Sequence, residues 1–195
     1  MIHRNRLHWL LVAAAPCALA IAPACAWAQS IEREAAAIDW PVAESAMKAA
    51  ANDDKAGVAK VRSSPTSREA LDRVALPVLV PGSDSVRASP ALFEQGTAYA
   101  ANYPLDAADL VVLGSASAIA LPPGSPLAKL LEGGASSANY QFEAYEYGAD
   151  LSFVRYGASY VLRLACEEPE DPRCGREEFL RKVADSLIAV GGKPR

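Results

Sequence analysis

The chain has little of what most catalytic sites are built from. Its two histidines, His3 and His8, sit at the extreme N-terminus. Two of its four cysteines, Cys17 and Cys25, fall in the same N-terminal stretch. That stretch reads as a secretory signal over residues 1–28. It has a basic start with Arg4 and Arg6, an apolar run from Trp9 to Ile21, and the small-residue pattern Ala26-Trp27-Ala28 before the expected cleavage point. The apolar run is short for a membrane span.

A chain beginning at Gln29 would hold 167 residues, no histidine, and only Cys166 and Cys174 as cysteines. That excludes a Ser-His-Asp triad, a Cys-His pair, and any histidine-ligated zinc, iron or copper site. An even pair of cysteines in an exported chain reads as a disulfide, which removes the remaining thiolates. No cofactor is therefore expected. Positive charge is also scarce. Without Arg4 and Arg6, 17 basic side chains face 23 acidic ones, a net of −6. Nucleic acid and anionic membranes both require a basic patch, so neither is an expected partner.

What the chain does have is concentrated in its last third. Residues 140–166 alternate between apolar or aromatic and polar side chains, interrupted at Gly148 and at Tyr156-Gly157. Period-two runs punctuated by glycine predict antiparallel strands with one buried face. After Cys166 the period changes. Phe179, Leu180, Val183, Ala184, Leu187 and Ile188 recur at helical spacing, which predicts an amphipathic helix over about 175–189. Between them lies an acidic, proline-containing loop from Glu167 to Arg173, which a Cys166–Cys174 bridge would close.

Upstream, short helices are expected over 30–34, 41–51 and 64 to about 74. The last carries Thr66 and Glu69 at capping-box spacing. The proline-framed apolar run 75–81 suits an edge strand. Residues 97–103 and 109–121 read as a strand pair with a bulge at Gly114. Ser125 to Leu131 reads as a turn or two of helix. The expected layout is a signal at 1–28, an Ala-rich, partly flexible helical leader at 29–74, and an α+β domain at 75–192. That domain is expected to be an antiparallel sheet of about five strands with the C-terminal amphipathic helix packed on one face.

The stretch from Phe153 to Cys166, the acidic proline loop, Cys174 and a helix ending in Gly191-Gly192 resembles exported bacterial proteins known only as domains of unknown function. The resemblance covers residues 140–192. It implies no activity, and no functional residue is carried over from it.

Several short patterns carry chemistry in other settings. Ser45-Ala46-Met47-Lys48 matches S-x-x-K, in which a lysine activates a serine. The other motifs of penicillin-recognising enzymes are missing from the chain. Glu143, Glu146 and Asp150 invite a paired-carboxylate hydrolase. Glu167, Glu168, Glu170 and Asp171 offer hard oxygens for calcium, but without the ordered D-x-D-x-D-G spacing. Tyr145, Tyr147 and Tyr156 offer rings with a polar tip, suited to a binding face. The expected function is an exported, non-catalytic envelope or periplasmic protein that binds a protein or envelope component. The rival is a histidine-free hydrolase using Ser-Lys or carboxylates.

Overall fold

Alternation of side chains does become strand pairing in the C-terminal third. The computed structural model of the chain describes residues 33–82, 86, 89–119 and 140–194. The expectations for residues 1–28 and for Ser125 to Leu131 lie outside the described residues. Along the chain run β1 Arg33–Ala35, α1 Trp40–Asp53, α2 Lys55–Ser63, α3 Pro65–Arg73, β2 Val78–Pro81 and β3 Ala91–Glu94. Then come β4 Ala98–Leu105, β5 Ala108–Ser115, β6 Ser117–Ile119, β7 Gln141–Tyr145, β8 Gly148–Arg155 and β9 Ala158–Cys166. The last two elements are α4 Glu177–Asp185 and β10 Leu187–Gly191. The fold is α+β.

The main sheet has six strands in the order β3-β4-β5-β9-β8-β7, every neighbour antiparallel. It is two three-stranded meanders whose last strands, β5 and β9, meet side by side. The sheet has six strands against the expected five or so; the four residues of β3 are too few to show a period.

Register puts one apolar set on a single face. Tyr99, Ala101 and Tyr103 of β4 lie in the same rows as Gly114, Val112 and Leu110 of β5. Those rows continue through Tyr160, Leu162 and Leu164 of β9 to Phe153, Leu151 and Ala149 of β8. All of these residues are buried. The opposite face is mixed, with Phe93, Val154, Ser159 and Arg163 exposed and Val111, Leu113 and Val161 half-buried. Gly114 is not a bulge: register runs through it unbroken on both sides. A Cβ there would lie 2.3 Å from the Tyr99 ring, so the glycine makes room for that side chain.

The buried face is met by a two-stranded ribbon of β2 and β10. Successive residues of a strand point their backbone groups to opposite sides. On the side away from β10, the Leu79 amide donates to the Tyr99 hydroxyl at 2.8 Å, and that hydroxyl donates to the Leu79 carbonyl at 3.0 Å. The Tyr160 hydroxyl donates to the Pro77 carbonyl at 2.8 Å. Two tyrosines thus stand in for a missing neighbour strand. Helix α1 packs on β10, and Arg62 of α2 donates to the Val190 carbonyl at 2.9 Å. Val61, Ala70 and Leu71, in the stretch read as a leader, belong to the main core cluster.

Other expectations are corrected. Residues 33–35 form a strand rather than helix. They pair with β6, and the Ala36 amide donates to the Ala116 carbonyl at 2.7 Å, so distant pairing outweighs local propensity. The cap of α3 is Ser64, with Pro65 as the first helical residue, rather than Thr66. The C-terminal helix stops at Asp185. The Ser186 hydroxyl donates to the Val183 carbonyl at 2.8 Å, and Leu187 and Ile188 turn into β10 opposite Pro81 and Val80. A helical stripe and an apolar strand look alike over four residues, and an unpaired β2 decides between them.

Candidate binding face

At one end of the sheet three turns converge. They are the β4–β5 turn at Asp106-Ala107, the β7–β8 turn at Glu146-Tyr147, and the loop from Glu167 to Arg173. Strand register brings them together, since Ala108 pairs with Cys166 and Gly148 pairs with both Ala165 and Tyr145. Backbone bonds then tie them. The Cys166 amide donates to the Tyr147 carbonyl at 2.9 Å, and the Glu167 amide to the Ala107 carbonyl at 3.1 Å.

The expected bridge is present. Cys166 and Cys174 are disulfide-bonded, with Cα atoms 6.5 Å apart, and both residues are buried. Arg173 organises the loop inside it. Its guanidinium grips Asp171 at 2.5–3.0 Å and donates to the Asp106 carbonyl at 2.7 Å. The bond from Arg173 holds the Asp171 carboxyl below its usual range. Asp171 is thereby occupied, while Glu167, Glu168 and Glu170 stand exposed. Among the described residues no group of three or more acidic, histidine or cysteine side chains is placed to hold a metal.

Tyr145 ends β7 and Tyr147 lies in the β7–β8 turn; they are about half exposed, 46% and 50%. The Tyr145 ring covers Gly148, where an added Cβ would lie 2.5 Å from the ring. Its hydroxyl donates to Asp150 at 3.3 Å, and partial burial and the Asp150 charge both raise its phenol above the ordinary range. Asp150 in turn receives two bonds from Arg163 of the neighbouring strand, at 2.9 and 2.7 Å. The result is an ordered surface line of ring, carboxylate and guanidinium. Glu143 lies directly opposite Asp150 and Glu146 caps the turn, both exposed.

Tyr156 is elsewhere. It sits in the β8–β9 turn at the far end of β8 with a φ of 53°, half-buried, its carbonyl accepting from the Asp39 amide at 3.0 Å. The candidate tyrosines therefore divide into a pair and a single. Sequence spacing did not show this, because β8 carries its two turns to opposite ends of the sheet.

The catalytic candidates do not gather. Ser45 and Lys48 are both exposed on α1. The Asp150 carboxylate is already paired with Arg163, so with Glu143 it forms a cross-strand neighbour pair rather than two acids across a cleft.

A groove of about 550 Å³ that no sequence pattern marks lies between α3 and the β3–β4 edge. Ala70, Leu92, Phe93, Ala100 and Leu113 line it, and the ion pair of Arg73 with Glu94, at 2.6 Å, stands at its rim. Its walls come from four separate elements, so no local pattern marks it. Neither Ser45, Lys48 nor the candidate tyrosines reach it. Comparison of this chain with family models, curated proteins and solved structures finds no match.

Proposed function

We propose that this is an exported envelope or periplasmic protein that binds another protein or an envelope component through the outer face of its sheet, without a catalytic step. The observation that carries the proposal is the Tyr145–Tyr147 corner. Two half-exposed rings stand at the β7–β8 turn, and the Tyr145 hydroxyl donates to Asp150 of an ordered Asp150–Arg163 pair, on a face that also exposes Phe93 and Val154. Such a surface provides contact area with a hydrogen-bonding tip, at little cost in ordering its own side chains. Among the described residues the buried face is occupied by the core, which leaves the outer face for a partner. Helix α4 belongs to the same scaffold. Its apolar stripe of Leu180, Val183 and Ala184 closes over β8 and β9, and Arg155 of β8 donates to the Ala184 and Leu187 carbonyls at 3.2 and 3.3 Å.

Export is supported by the disulfide, which persists in oxidising compartments, and by the signal-like N-terminal stretch. Among the described residues no helix is long and apolar enough to cross a membrane. Two experiments test the reading. Mass spectrometry of the protein from its host should place the N-terminus at or near Gln29; an intact Met1 would refute cleavage. Affinity capture from the envelope fraction should retain a component with the wild-type protein and lose it with the Tyr145→Ser/Tyr147→Ser double variant. Equal capture by both would remove this corner from the interface.

A further inference from the structure

We propose that the outer edge of β7 accepts an extended, basic segment of another polypeptide by strand addition. The proposal rests on the binding reading above and names the kind of partner. A terminal strand leaves a row of backbone N–H and C=O groups unpaired, and chains usually shield such a row with lysine, proline, a bulge or a covering element. The two ends of this sheet differ in that respect. At one end β3 is flanked by α3, and Arg73 of that helix donates to Glu94 at 2.6 Å. At the other end β7 pairs only with β8 among the described residues. Its sequence Gln-Phe-Glu-Ala-Tyr has no lysine and no proline, and its register with β8 runs unbroken from Gln141 to Tyr145. Four of the five residues are exposed.

The strand is also held in place. Tyr140, just before it, donates its hydroxyl to Asp185 at 2.8 Å and stacks edge-on against Phe153 at 5.5 Å. The Arg181 guanidinium lies over the same ring at 4.9 Å. A template fixed before binding needs little further ordering when a strand is added.

Charge selects the partner. Gln141, Glu143 and Tyr145 share the outer face, and Glu146 follows in the turn. Arg163, the cation on that face two strands away, is already committed to Asp150. An incoming residue opposite Glu143 therefore meets a carboxylate, and one beside Tyr145 meets an aromatic ring; both favour lysine or arginine. On the other face, Phe142 is half-buried against the core and favours an apolar neighbour. The matching segment alternates basic and apolar residues. A second copy of this chain pairing about Glu143 would set carboxylate against carboxylate, which disfavours self-association here.

The test uses a labelled peptide alternating lysine and valine, a control alternating glutamate and valine, and the full folded protein at low salt. Fluorescence anisotropy should show the basic peptide binding at least about tenfold more tightly than the acidic one. Amide hydrogen exchange across Phe142 to Tyr145 should slow in the complex. The Glu143→Lys/Glu146→Lys variant, altered only at exposed positions, should bind the basic peptide about tenfold more weakly. Failure of the basic peptide to bind, equal binding of both peptides, or binding that leaves β7 exchange unchanged would each overturn the assignment. The two readings separate in envelope capture. A component retained by Glu143→Lys/Glu146→Lys but lost by Tyr145→Ser/Tyr147→Ser refutes the edge and leaves the face standing. Loss in both variants supports the edge.

Discussion

Three buried tyrosines on one sheet face differ in a single respect, and that difference sets the cost of removing each hydroxyl. Tyr99, Tyr103 and Tyr160 are at most 4% exposed, so a Phe in each place keeps the ring and its packing. The Tyr99 hydroxyl serves two backbone groups of Leu79, a residue with no exposed surface. Tyr99→Phe leaves both a donor and an acceptor buried and unpaired. At about 1–3 kcal/mol for each orphaned group, less whatever relaxation recovers, the loss should be about 2–4 kcal/mol. Tyr160→Phe orphans only the Pro77 carbonyl and should cost about 1–2 kcal/mol. The Tyr103 hydroxyl is buried with no hydrogen-bond partner among the described residues. Its removal relieves a desolvated group, so Tyr103→Phe should change stability by less than about 0.5 kcal/mol or increase it. Urea unfolding followed by far-UV circular dichroism measures all three, with an unchanged slope showing that only stability has moved. The order Tyr99, Tyr160, Tyr103 is the expectation. If Tyr103→Phe cost as much as Tyr99→Phe, the role of hydroxyls in satisfying the free side of β2 would be refuted.

Other outcomes follow from the same contacts. Replacing Cys166 or Cys174 by serine should lower stability by about 2–3 kcal/mol, and the double variant by about as much as either single one, because each alone breaks the bridge. Thiol labelling of the unreduced, denatured protein at both cysteines would show that no bridge forms. Gly114→Ala should cost about 1–3 kcal/mol, since its Cβ has no room beside the Tyr99 ring; a neutral result would mean that the ring moves freely. Burial pushes the phenols of Tyr99, Tyr103 and Tyr160 above their ordinary value. Unfolded tyrosines ionise near pH 10 while the folded ones stay protonated, so the unfolded chain releases protons first. Their stabilising effect is complete below about pH 10 and falls as pH rises further, by up to about 1.4 kcal/mol per pH unit for each. A urea midpoint that does not move between about pH 9 and 11 would contradict this.

Much of the fold was written locally. Alternation from Tyr140 to Cys166, broken at Gly148 and Gly157, was enough for β7, β8 and β9, because a strand with one buried face must repeat every two residues. The bridge followed from the count of cysteines and from their places at the end of one run and the start of another. The acidic first turn and apolar stripe of α4 were equally plain, as Glu177 and Glu178 precede Phe179, Leu180 and Val183. What tertiary structure decided is every pairing between distant residues. Arg33–Ala35 became a strand because β6 offered a partner, and Leu187–Gly191 left the helix because β2 lacked one. Asp150 had the spacing of a candidate acid, yet Arg163, thirteen residues on, neutralises it across the sheet. Tyr145, Tyr147 and Tyr156 were close in sequence, but a strand rises about 3.3 Å per residue, and eight residues of β8 carry Tyr156 to the opposite end. Local chemistry sets which residues alternate and which cap; only the assembled sheet decides which of them share a surface.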